Sequence, residues 1–202
     1  QSGSPAGGWP AYGIIKAENA TEAQNVSNIQ NKTYESHITH SGYHSKFGDT
    51  NSGTNTGDTF TAGDIIQIAV DIDAGKAWWG KNNTWTQSGD PANGNNPNDT
   101  FTAGTEITFY TSAYNGCGYI IINAGQDDTF GGAITAAGNA DGNGFGDFKY
   151  TPPTGFLSLA SSNLPISDDI DPAQTSDDYP GKQFGVVTYT GDNSTSNAIT
   201  GL

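Results

Sequence analysis

The chain has 202 residues and a mass of 21.0 kDa, enough for one substantial domain with an appendage. Lysine and arginine total 7 against 21 acidic residues, so the formal net charge is −14, and arginine is absent. Such a chain repels phosphate backbones and anionic bilayers, which excludes nucleic acid and acidic lipid as partners. No apolar run reaches the roughly 18 residues that span a bilayer, so we expect no membrane insertion.

The composition is polar without being highly charged. Only 33% of the residues are hydrophobic and 14% are charged, against a usual charged share of about 25%. Aromatic residues still make up 11% of the chain and lie within β-branched runs, which predicts a folded domain with a modest core. The absence of Met and Arg, with abundant Asn, Gly and Thr, indicates an extracellular protein. The first residue is Gln1 and no signal peptide is visible, which predicts a processed or excised polypeptide.

A strand followed by a hairpin is the strongest local pattern. Between Ile66 and Ile72 an aliphatic residue recurs at every second position, with Gln67 and Asp71 on the other face, as in a strand with one side on the core. Residues 73–75 then supply a turn, and residues 76–79 return as a partner strand containing two tryptophans. A second turn at residues 82–83 follows, because Asn tolerates positive φ.

Further strands follow, and the pattern of a long helix is missing. Residues 106–114 alternate, with Ile107 and Phe109 on one side, and the apolar run 119–122 predicts a strand covered on both faces. Residues 17–30 have room for a short helical turn only. The prediction is an all-β fold, a two-layer antiparallel β-sandwich with Gly/Asn-rich turns.

The C-terminal part differs from the rest. Residues 161–182 are rich in Asp, Ser and Pro and predict an extended linker between the sandwich of residues 1–160 and a detached strand in residues 183–202. In that strand Phe184 and Val186 face one way, and Val187 and Tyr189 face the other. A strand that is apolar on both faces requires a docking site.

The run from residue 63 to residue 85 resembles the central signature of SPRY-type domains. A Gly-Asp entry, an apolar strand with an acidic end, an aromatic strand and a Lys-Asn turn follow in the family's order, and residues 41–45 look like its Gly-Tyr segment. The resemblance covers roughly residues 11–160. It implies a concanavalin A-like (jelly-roll) sandwich that binds through loops and has no catalytic residues.

A narrower resemblance is to the SPRY modules of bacteriophage tail-fibre-like proteins. It is carried by residues 123–127, 138–148, 152–156 and 163–165. In those proteins a Tyr-Thr-Gly strand opens the next domain, similar to residues 189–191 here. Family members begin with a Trp/Tyr-rich strand that this chain lacks, so the sandwich is expected to be one strand short at its start and to carry an orphan strand at its end.

That mismatch predicts assembly. An open sheet edge presents unpaired backbone groups that another strand can use. If the strand with Phe184, Val186, Val187 and Tyr189 fills the gap in the next copy, a head-to-tail filament results. The equal alternative is that the strand folds back into its own domain.

Residue types suited to metal binding occur in two places. His37, His40 and His44 are spaced so that a strand would place them on different faces, and we expect solvated loop histidines rather than a zinc site. Asp141, Asn143 and Asp147 alternate with glycines as in a calcium loop, but Pro152 stands where an EF-hand has Glu. Metal-free turns also favour Asn and Asp, so calcium is a candidate cofactor and none is required.

Paired carboxylates for glycoside hydrolysis are not evident. The four glutamates are unpaired at strand spacing, and although Asp71 and Asp73 would share a face, the SPRY resemblance places them at a strand end and in a turn. Glycosylation of Asn side chains is a further candidate modification. Asn-x-Ser/Thr sequons occur at Asn19, Asn25, Asn31, Asn82, Asn98 and Asn193.

Three functions follow from these patterns. The first is a non-enzymatic subunit of an extracellular fibre, a virion tail fibre or a surface filament, that self-associates by strand addition. The second is a carbohydrate- or protein-receptor-binding module, in which Trp9, Trp78, Trp79 or Trp85 stacks on a ligand, although tryptophan in a sandwich is more often core. The third is a glycoside hydrolase on the same fold.

Overall fold

The structure is a computed structural model that describes residues 10–24, 32–50, 53–112 and 120–164. The regular structure of these residues is mostly antiparallel strand with little helix, so the all-β prediction is confirmed. The strands are β1 Ala11–Lys16, β2 Glu35–Thr39, β3 Tyr43–Ser45, β4 Thr54–Asn55, β5 Ile66–Asp71, β6 Lys76–Lys81, β7 Thr84–Trp85, β8 Asp99–Thr100 and β9 Ile107–Ser112. The helices are α1 Ala20–Gln24 and the 3-10 turns Ala17–Asn19, Thr86–Ser88, Pro91–Asn93 and Ser161–Asn163. None of the described helices is long and apolar enough to cross a membrane.

Two sheets form the layers of the sandwich. One has five strands in the order β4-β3-β2-β1-β9, and the other has four, with β6 between β5 on one edge and β7 and β8 on the other. All pairings between named strands are antiparallel. In β1 and its neighbours the register pairs Ile14 with Phe109, so these two side chains share the face that packs on the second sheet.

The hairpin formed by β5 and β6 follows the sequence pattern closely. The turn occupies residues 72–75, with Gly75 at φ +63°, and Asn82 and Asn83 both adopt positive φ in the next turn, as expected of Asn. Ile68 and Trp79 are directly paired and point into the core. The helical turn predicted within residues 17–30 is also present, as the 3-10 turn and α1.

Trp79 is the centre of the core. Its side chain is fully buried, its indole Nε1 donates to the Tyr12 carbonyl oxygen at 3.0 Å, and its ring centroid lies 4.9 Å from that of His44. The Asn98 side chain accepts from the Trp79 backbone N–H at 2.8 Å. Aliphatic side chains from both sheets, among them Ile14 of β1 and Ile68 of β5, complete the cluster. Burying such large apolar groups is the main source of stability for the sandwich.

Residues 120–163 form a loop-rich lobe, named here for its lack of regular strands. The predicted strand over residues 119–122 is wrong for its described part: Ile120 makes a single bridge, and Ile122 is 56% exposed. Of the described residues 120–122, only Ile120 takes part in β pairing. The lobe packs on the outward face of β6, where the Phe156 ring meets the buried Trp78 ring edge-on at 5.9 Å.

The chain divides into two compact units between Asn163 and Leu164, three residues beyond the end predicted for the sandwich. Residues 161–163 form a 3-10 turn, and Asn163 hydrogen-bonds to Asp141 within the lobe. The rest of the predicted linker and the predicted strand with Phe184, Val186, Val187 and Tyr189 lie outside the described residues.

Candidate functional site

Two strand edges lie on one side of the sandwich. Residues of β6 that pair with β5 also pair with β8, so β5 and β8 occupy opposite edges of β6. The β8 edge is tied to the segment after β3, because the Phe47 N–H donates to the Asp99 carboxylate at 2.9 Å. Trp79 of β6 contacts Tyr12 of β1 and His44 of β3 in the other sheet. Strand β5 lies on the edge of β6 away from β8, and so it lies toward β9. We call the side formed by the outer edges of β5 and β9 the open side.

Strands β5 and β9 each have a hydrogen-bonded neighbour on only one edge within the part of the chain that the structure describes. Their core-facing side chains are correspondingly less covered. Phe109 is 40% exposed, whereas Ile14, directly opposite it in register and on the same face, is 0% exposed. On β5 the core-facing Ile66, Ile68 and Val70 are only partly buried. Among the described residues, the open side therefore combines strand edges without a paired neighbour and apolar surface, which are the two components of a site for strand addition.

A buried polar network occupies the opposite face of the five-stranded sheet. Glu35 and His37 of β2 are fully buried, with the Glu35 carboxylate 2.5 Å from His37 Nδ1. Tyr110 of β9 donates its hydroxyl to the same carboxylate oxygen at 2.8 Å, and Ser45 donates to the other at 3.4 Å. Burial, followed by the negative charge of Glu35, holds the pKa of Tyr110 well above its usual value. The network joins β2, β3 and β9 across β1.

Gly13 of β1 makes this network possible. A Cβ at that position would lie 2.7 Å from His37 Cβ and 2.8 Å from Tyr110 Cε1. The side chains of His37 and Tyr110 therefore pack over Gly13, because the side chain of any other residue would occupy the space between them. Because Glu35 and His37 have no exposed surface, a substrate has no access to this pair.

The expectation of solvated loop histidines is wrong for two of the three. His37 lies in β2 and His44 in β3, and both are buried, while the expectation that they occupy different faces is confirmed. His44 pairs with Ile38 and so points into the core against Trp79. Burial lowers the pKa of His44 to about 3, and the positive charges of Lys46 and His37 act in the same direction.

The carboxylate of Asp141, a predicted calcium ligand, accepts hydrogen bonds from several segments of the lobe. Its Oδ1 accepts the backbone N–H groups of Asn143 and Phe145, at 2.9 and 3.0 Å. Its Oδ2 accepts from the backbone and hydroxyl of Ser158 and from the Asn163 amide, at 2.7 to 2.9 Å. Burial raises the pKa of Asp141, but these donors outweigh it, so the pKa lies well below its usual value.

The other predicted ligands do not join Asp141 through their own side-chain oxygens. The Asn143 side-chain amide bonds to Asn163, and the Asp147 side chain is exposed while its backbone pairs with Gly125. Within the described ranges no three His, Cys, Asp or Glu side chains are grouped as metal ligands. Calcium binding at Asp141, Asn143 and Asp147 therefore stays a prediction, and the contacts observed are those of a metal-free turn.

The carboxylates considered for hydrolysis lie at a strand end and in a turn. Asp71 ends β5 and accepts the Ala74 backbone N–H at 2.8 Å, and Asp73 is exposed in the turn that follows. Asp71 is thus used as a turn cap.

The sequons differ in access. Asn82 is exposed, although its amide already donates to Asp64 at 2.6 Å, and Asn19 is partly exposed in the 3-10 turn that precedes α1. Asn98 is a correction: it is 1% exposed, and its amide bonds to both Trp79 and Thr86 inside the core, so a sugar cannot be attached there in this fold. The remaining sequons, Asn25, Asn31 and Asn193, lie outside the described residues.

Among the tryptophans proposed for ligand stacking, Trp78 and Trp79 are fully buried and serve the core. Trp85 keeps part of its surface exposed and borders a cavity. Trp9 lies outside the described residues.

Comparison with known proteins adds no identity to these observations. Neither a family model, nor a curated protein, nor a solved structure matches the chain. The antiparallel β-sandwich thus stands on the structure, and the SPRY type of that sandwich stays a prediction from the residues that resemble it.

Proposed function

We propose that the chain is a non-enzymatic structural subunit of an extracellular fibre, a virion tail fibre or a surface filament, and that it assembles head-to-tail by strand addition. The donor is the strand with Phe184, Val186, Val187 and Tyr189, and the acceptor is the open side of the next copy. The observation that carries the proposal is the exposure of Phe109 on a core-facing position of an edge strand.

The energetics favour an added strand at this place. Each large aliphatic or aromatic side chain that becomes buried contributes roughly 1.5–3 kcal/mol, and the new strand would also pair the free backbone groups of β5 or β9. Residues 161–182, the predicted tether, span at most roughly 75 Å when fully extended. That reach suffices for a neighbouring molecule. A donor and acceptor on different parts of one chain form a contact that propagates without closing.

The SPRY type of the sandwich belongs to the same proposal. Its support is the order of elements in residues 63–85: a strand with an acidic end, a Gly turn, a double-tryptophan strand and an Asn-Asn turn, all of which adopt the conformations expected of them. An experimental structure with the topology of another sandwich class would remove the SPRY assignment without affecting strand addition.

Electron microscopy and sedimentation velocity of the purified chain test assembly. We expect filaments whose mass grows with concentration. Val186→Asp should abolish them by placing a charge in the apolar contact, and Phe109→Asp should do so from the acceptor side. Ser194→Asp adds the same charge C-terminal to Tyr189, the last of the four apolar residues of the donor, and serves as the matched control.

The results separate assembly from closure within one chain. Filaments that persist in both Val186→Asp and Phe109→Asp would contradict the proposal. Monomers at every concentration, with Val186→Asp lowering the thermal stability of the monomer, would instead indicate that the strand docks within its own chain.

A further inference from the structure

The two edges of the open side differ in how well their strands are covered. Every residue of β5 is buried or partly buried, whereas Thr108, Phe109 and Thr111 of β9 are exposed. The cover decreases outward along the five-stranded sheet, because Tyr12 of β1, which pairs with Thr111, is only 6% exposed. An added strand therefore has more surface to bury at β9 than at β5.

Hydrogen bonds at the end of β1 establish which backbone groups of β9 point toward the open side. The Ala17 N–H donates to the Glu106 carbonyl oxygen at 2.9 Å, in the same register as the pairs between β1 and β9. Since bonded and non-bonded pairs alternate in an antiparallel ladder, the even-numbered residues of β9 bond to β1. The odd-numbered residues, Ile107, Phe109 and Thr111, direct their N–H and carbonyl groups toward the open side. They have no backbone partner there within the described ranges.

The same odd-numbered residues also face the second sheet with their side chains. Phe109 lies opposite Ile14 of the core, and Ile107 packs against the core cluster. In an antiparallel pair, directly opposite residues place their side chains on the same face. A residue that bonds to the Phe109 backbone therefore places its own side chain beside the exposed Phe109 ring. Backbone pairing and apolar burial thus coincide on this one edge.

The opposite face of β9 is uncharged. It carries Thr108, Tyr110 and Ser112, and the Tyr110 ring is partly buried. The Tyr110 hydroxyl donates to the Glu35 carboxylate at 2.8 Å, which holds the ring in place on this face. A strand added beside β9 therefore lies next to uncharged side chains of β9 on both of its own faces.

Strand β5 is a less suitable edge for an apolar strand. The Asn82 N–H donates to the Ile65 carbonyl oxygen at 2.9 Å, so by the same alternation the even-numbered residues of β5 direct their backbone groups away from β6. The opposite face of β5 carries Gln67 and the carboxylate of Asp71, and the exposed Asp73 follows. Charged residues on an edge strand protect it against pairing with further strands.

Strand β9 lacks such protection. Residues 107–112 contain no charged residue, no Pro and no Gly, which is the composition of segments that readily pair with other strands. The predicted donor strand, residues 183–190, is also uncharged. In a chain with a net charge of −14, these two segments can approach each other without charge repulsion between their own side chains.

We propose that, given assembly by strand addition as proposed above, β9 rather than β5 is the acceptor edge and its occupant is the donor strand of a second copy. The donor bonds to the backbone groups that the odd-numbered residues of β9 direct toward the open side. The donor face with Phe184 and Val186 lies beside Phe109. Its other apolar face lies beside Tyr110, so both faces of the donor are covered.

Quenched hydrogen exchange of the full chain, read residue by residue by NMR, tests this edge. Wild type is compared with Val186→Asp at a series of protein concentrations. In wild-type filaments we expect the amides of Ile107, Phe109 and Thr111 to exchange about tenfold more slowly than in the variant, since each gains a backbone hydrogen bond. The amides of the even-numbered residues of β9, which already bond to β1, are the internal control and should not change.

Proline substitution on the two edges provides a second test. Thr111→Pro removes one N–H that points toward the open side and leaves the bonds to β1 intact, a position at which edge strands tolerate proline. We expect it to raise the concentration needed for filaments about tenfold. Thr111→Ala keeps the N–H and should leave that concentration unchanged. Val70→Pro removes the equivalent N–H of β5, is the matched control, and should also leave it unchanged; circular dichroism checks that each variant is folded.

The outcomes separate the choice of edge from assembly itself. Slower exchange at the even-numbered residues of β5, with filaments weakened by Val70→Pro and not by Thr111→Pro, would overturn the assignment to β9 and leave strand addition intact. Slower exchange at β9 in a chain that is monomeric at every concentration would contradict assembly between copies, because the strand would then occupy β9 of its own chain. Equal exchange in wild type and Val186→Asp at both edges would overturn both proposals.

Discussion

The sandwich and the lobe pack against each other but are stabilised in different ways. In the sandwich, residues 10–112, paired strands enclose large side chains such as Trp79 and Ile14 that have no exposed surface. In the lobe, residues 120–163, carboxylates hold the backbone through their oxygens, and Leu157 and Leu159 are 47% and 71% exposed. Among the described residues of the lobe, β pairing is limited to isolated bridges.

In the lobe, acidic side chains hold the backbone in place by hydrogen bonds, as pairing between strands does in the sandwich. Asp127 accepts from Thr129 and Gly131, and Asp128 accepts from Ala137 and Gly138 at 2.5 and 2.6 Å. Since these bonds depend on ionised carboxylates, the lobe should respond to protonation or removal of single carboxylates, whereas the sandwich should respond to cavities in its core and to protonation of the buried His44. The difference explains how a chain of only 33% hydrophobic residues still forms a compact unit of 163 residues.

The largest effect is expected at the core of the sandwich. Trp79→Ala removes the side chain around which both sheets pack and should lower the free energy of unfolding by about 3–5 kcal/mol. Denaturant unfolding followed by circular dichroism measures this value. Trp85→Ala, which truncates a partly exposed tryptophan in the same sheet, is the comparison and should cost clearly less.

An effect of comparable total size, but spread over several pH units, is a pH dependence of the sandwich that originates in His44. The unfolded chain protonates this residue near its ordinary pKa of 6.5, but the folded chain does so only near 3. Stability is therefore unaffected above pH 6.5 and falls by about 1.4 kcal/mol for each pH unit between these values. Urea unfolding across this range measures the slope. His44→Phe keeps a ring against Trp79 and should remove this contribution; an unchanged slope would contradict the assignment.

A smaller effect is expected from the buried network. Tyr110→Phe removes one donor from the Glu35 carboxylate and should lower the free energy of unfolding by about 1.5 kcal/mol, because a bond to a charged acceptor is lost. Tyr43→Phe, at a ring that is 37% exposed on β3, is the matched control. If both variants lower the free energy of unfolding equally, the hydrogen bond from Tyr110 to Glu35 makes no specific contribution to stability.

The smallest effect on the whole unit, and the most local one, is expected in the lobe. The pKa values of Asp127, Asp128 and Asp141 are lowered by the donors that surround them, so protection of the lobe is complete above pH 4 and is lost as the pH falls through the lowered values. In a His44→Phe background, which removes the pH dependence of the sandwich, hydrogen exchange read by NMR should show lobe amides opening at acid pH before those of β1 and β6. Asp141→Asn should speed exchange of the Phe145 and Ser158 amides by about tenfold at neutral pH, since each bond to the charge is lost.

The exposed Asp147→Asn provides the control for that exchange experiment, because its side chain makes none of these bonds. Uniform acceleration over lobe and strands in Asp141→Asn would contradict the separation of the two regions.

Period-two patterns predicted the strands of the sandwich well, and they failed in the lobe. The alternation from Ile66 to Ile72 and the Gly and Asn turns are local signals, so β5, β6 and the turn at Asn82 could be predicted. The run at residues 119–122 is as apolar, but strand formation depends on a partner that local pattern does not reveal. The Asp141 turn was noticed for its oxygen atoms, and its role as a backbone cap depends on Ser158 and Asn163, far away in sequence.

The buried network and the exposure of Phe109 were missed for related reasons. Glu35 and His37 alternate with Ser36 and Ile38, which indicates a strand with one polar face. Nothing in that pattern says that the polar face is buried. The exposure of Phe109 arises from the order of strands in the sheet, which a single sequence does not specify.

A mixed cross-linking experiment tests strand addition between molecules most directly. In a Cys117→Ser background, one preparation carries Phe109→Cys and a second carries Val186→Cys, and the two are mixed under oxidising conditions. Strand addition predicts disulfide-linked dimers in the mixture, because position 186 of one copy reaches position 109 of another. Disulfides that form only within a chain carrying both substitutions, and never between the mixed chains, would contradict the account.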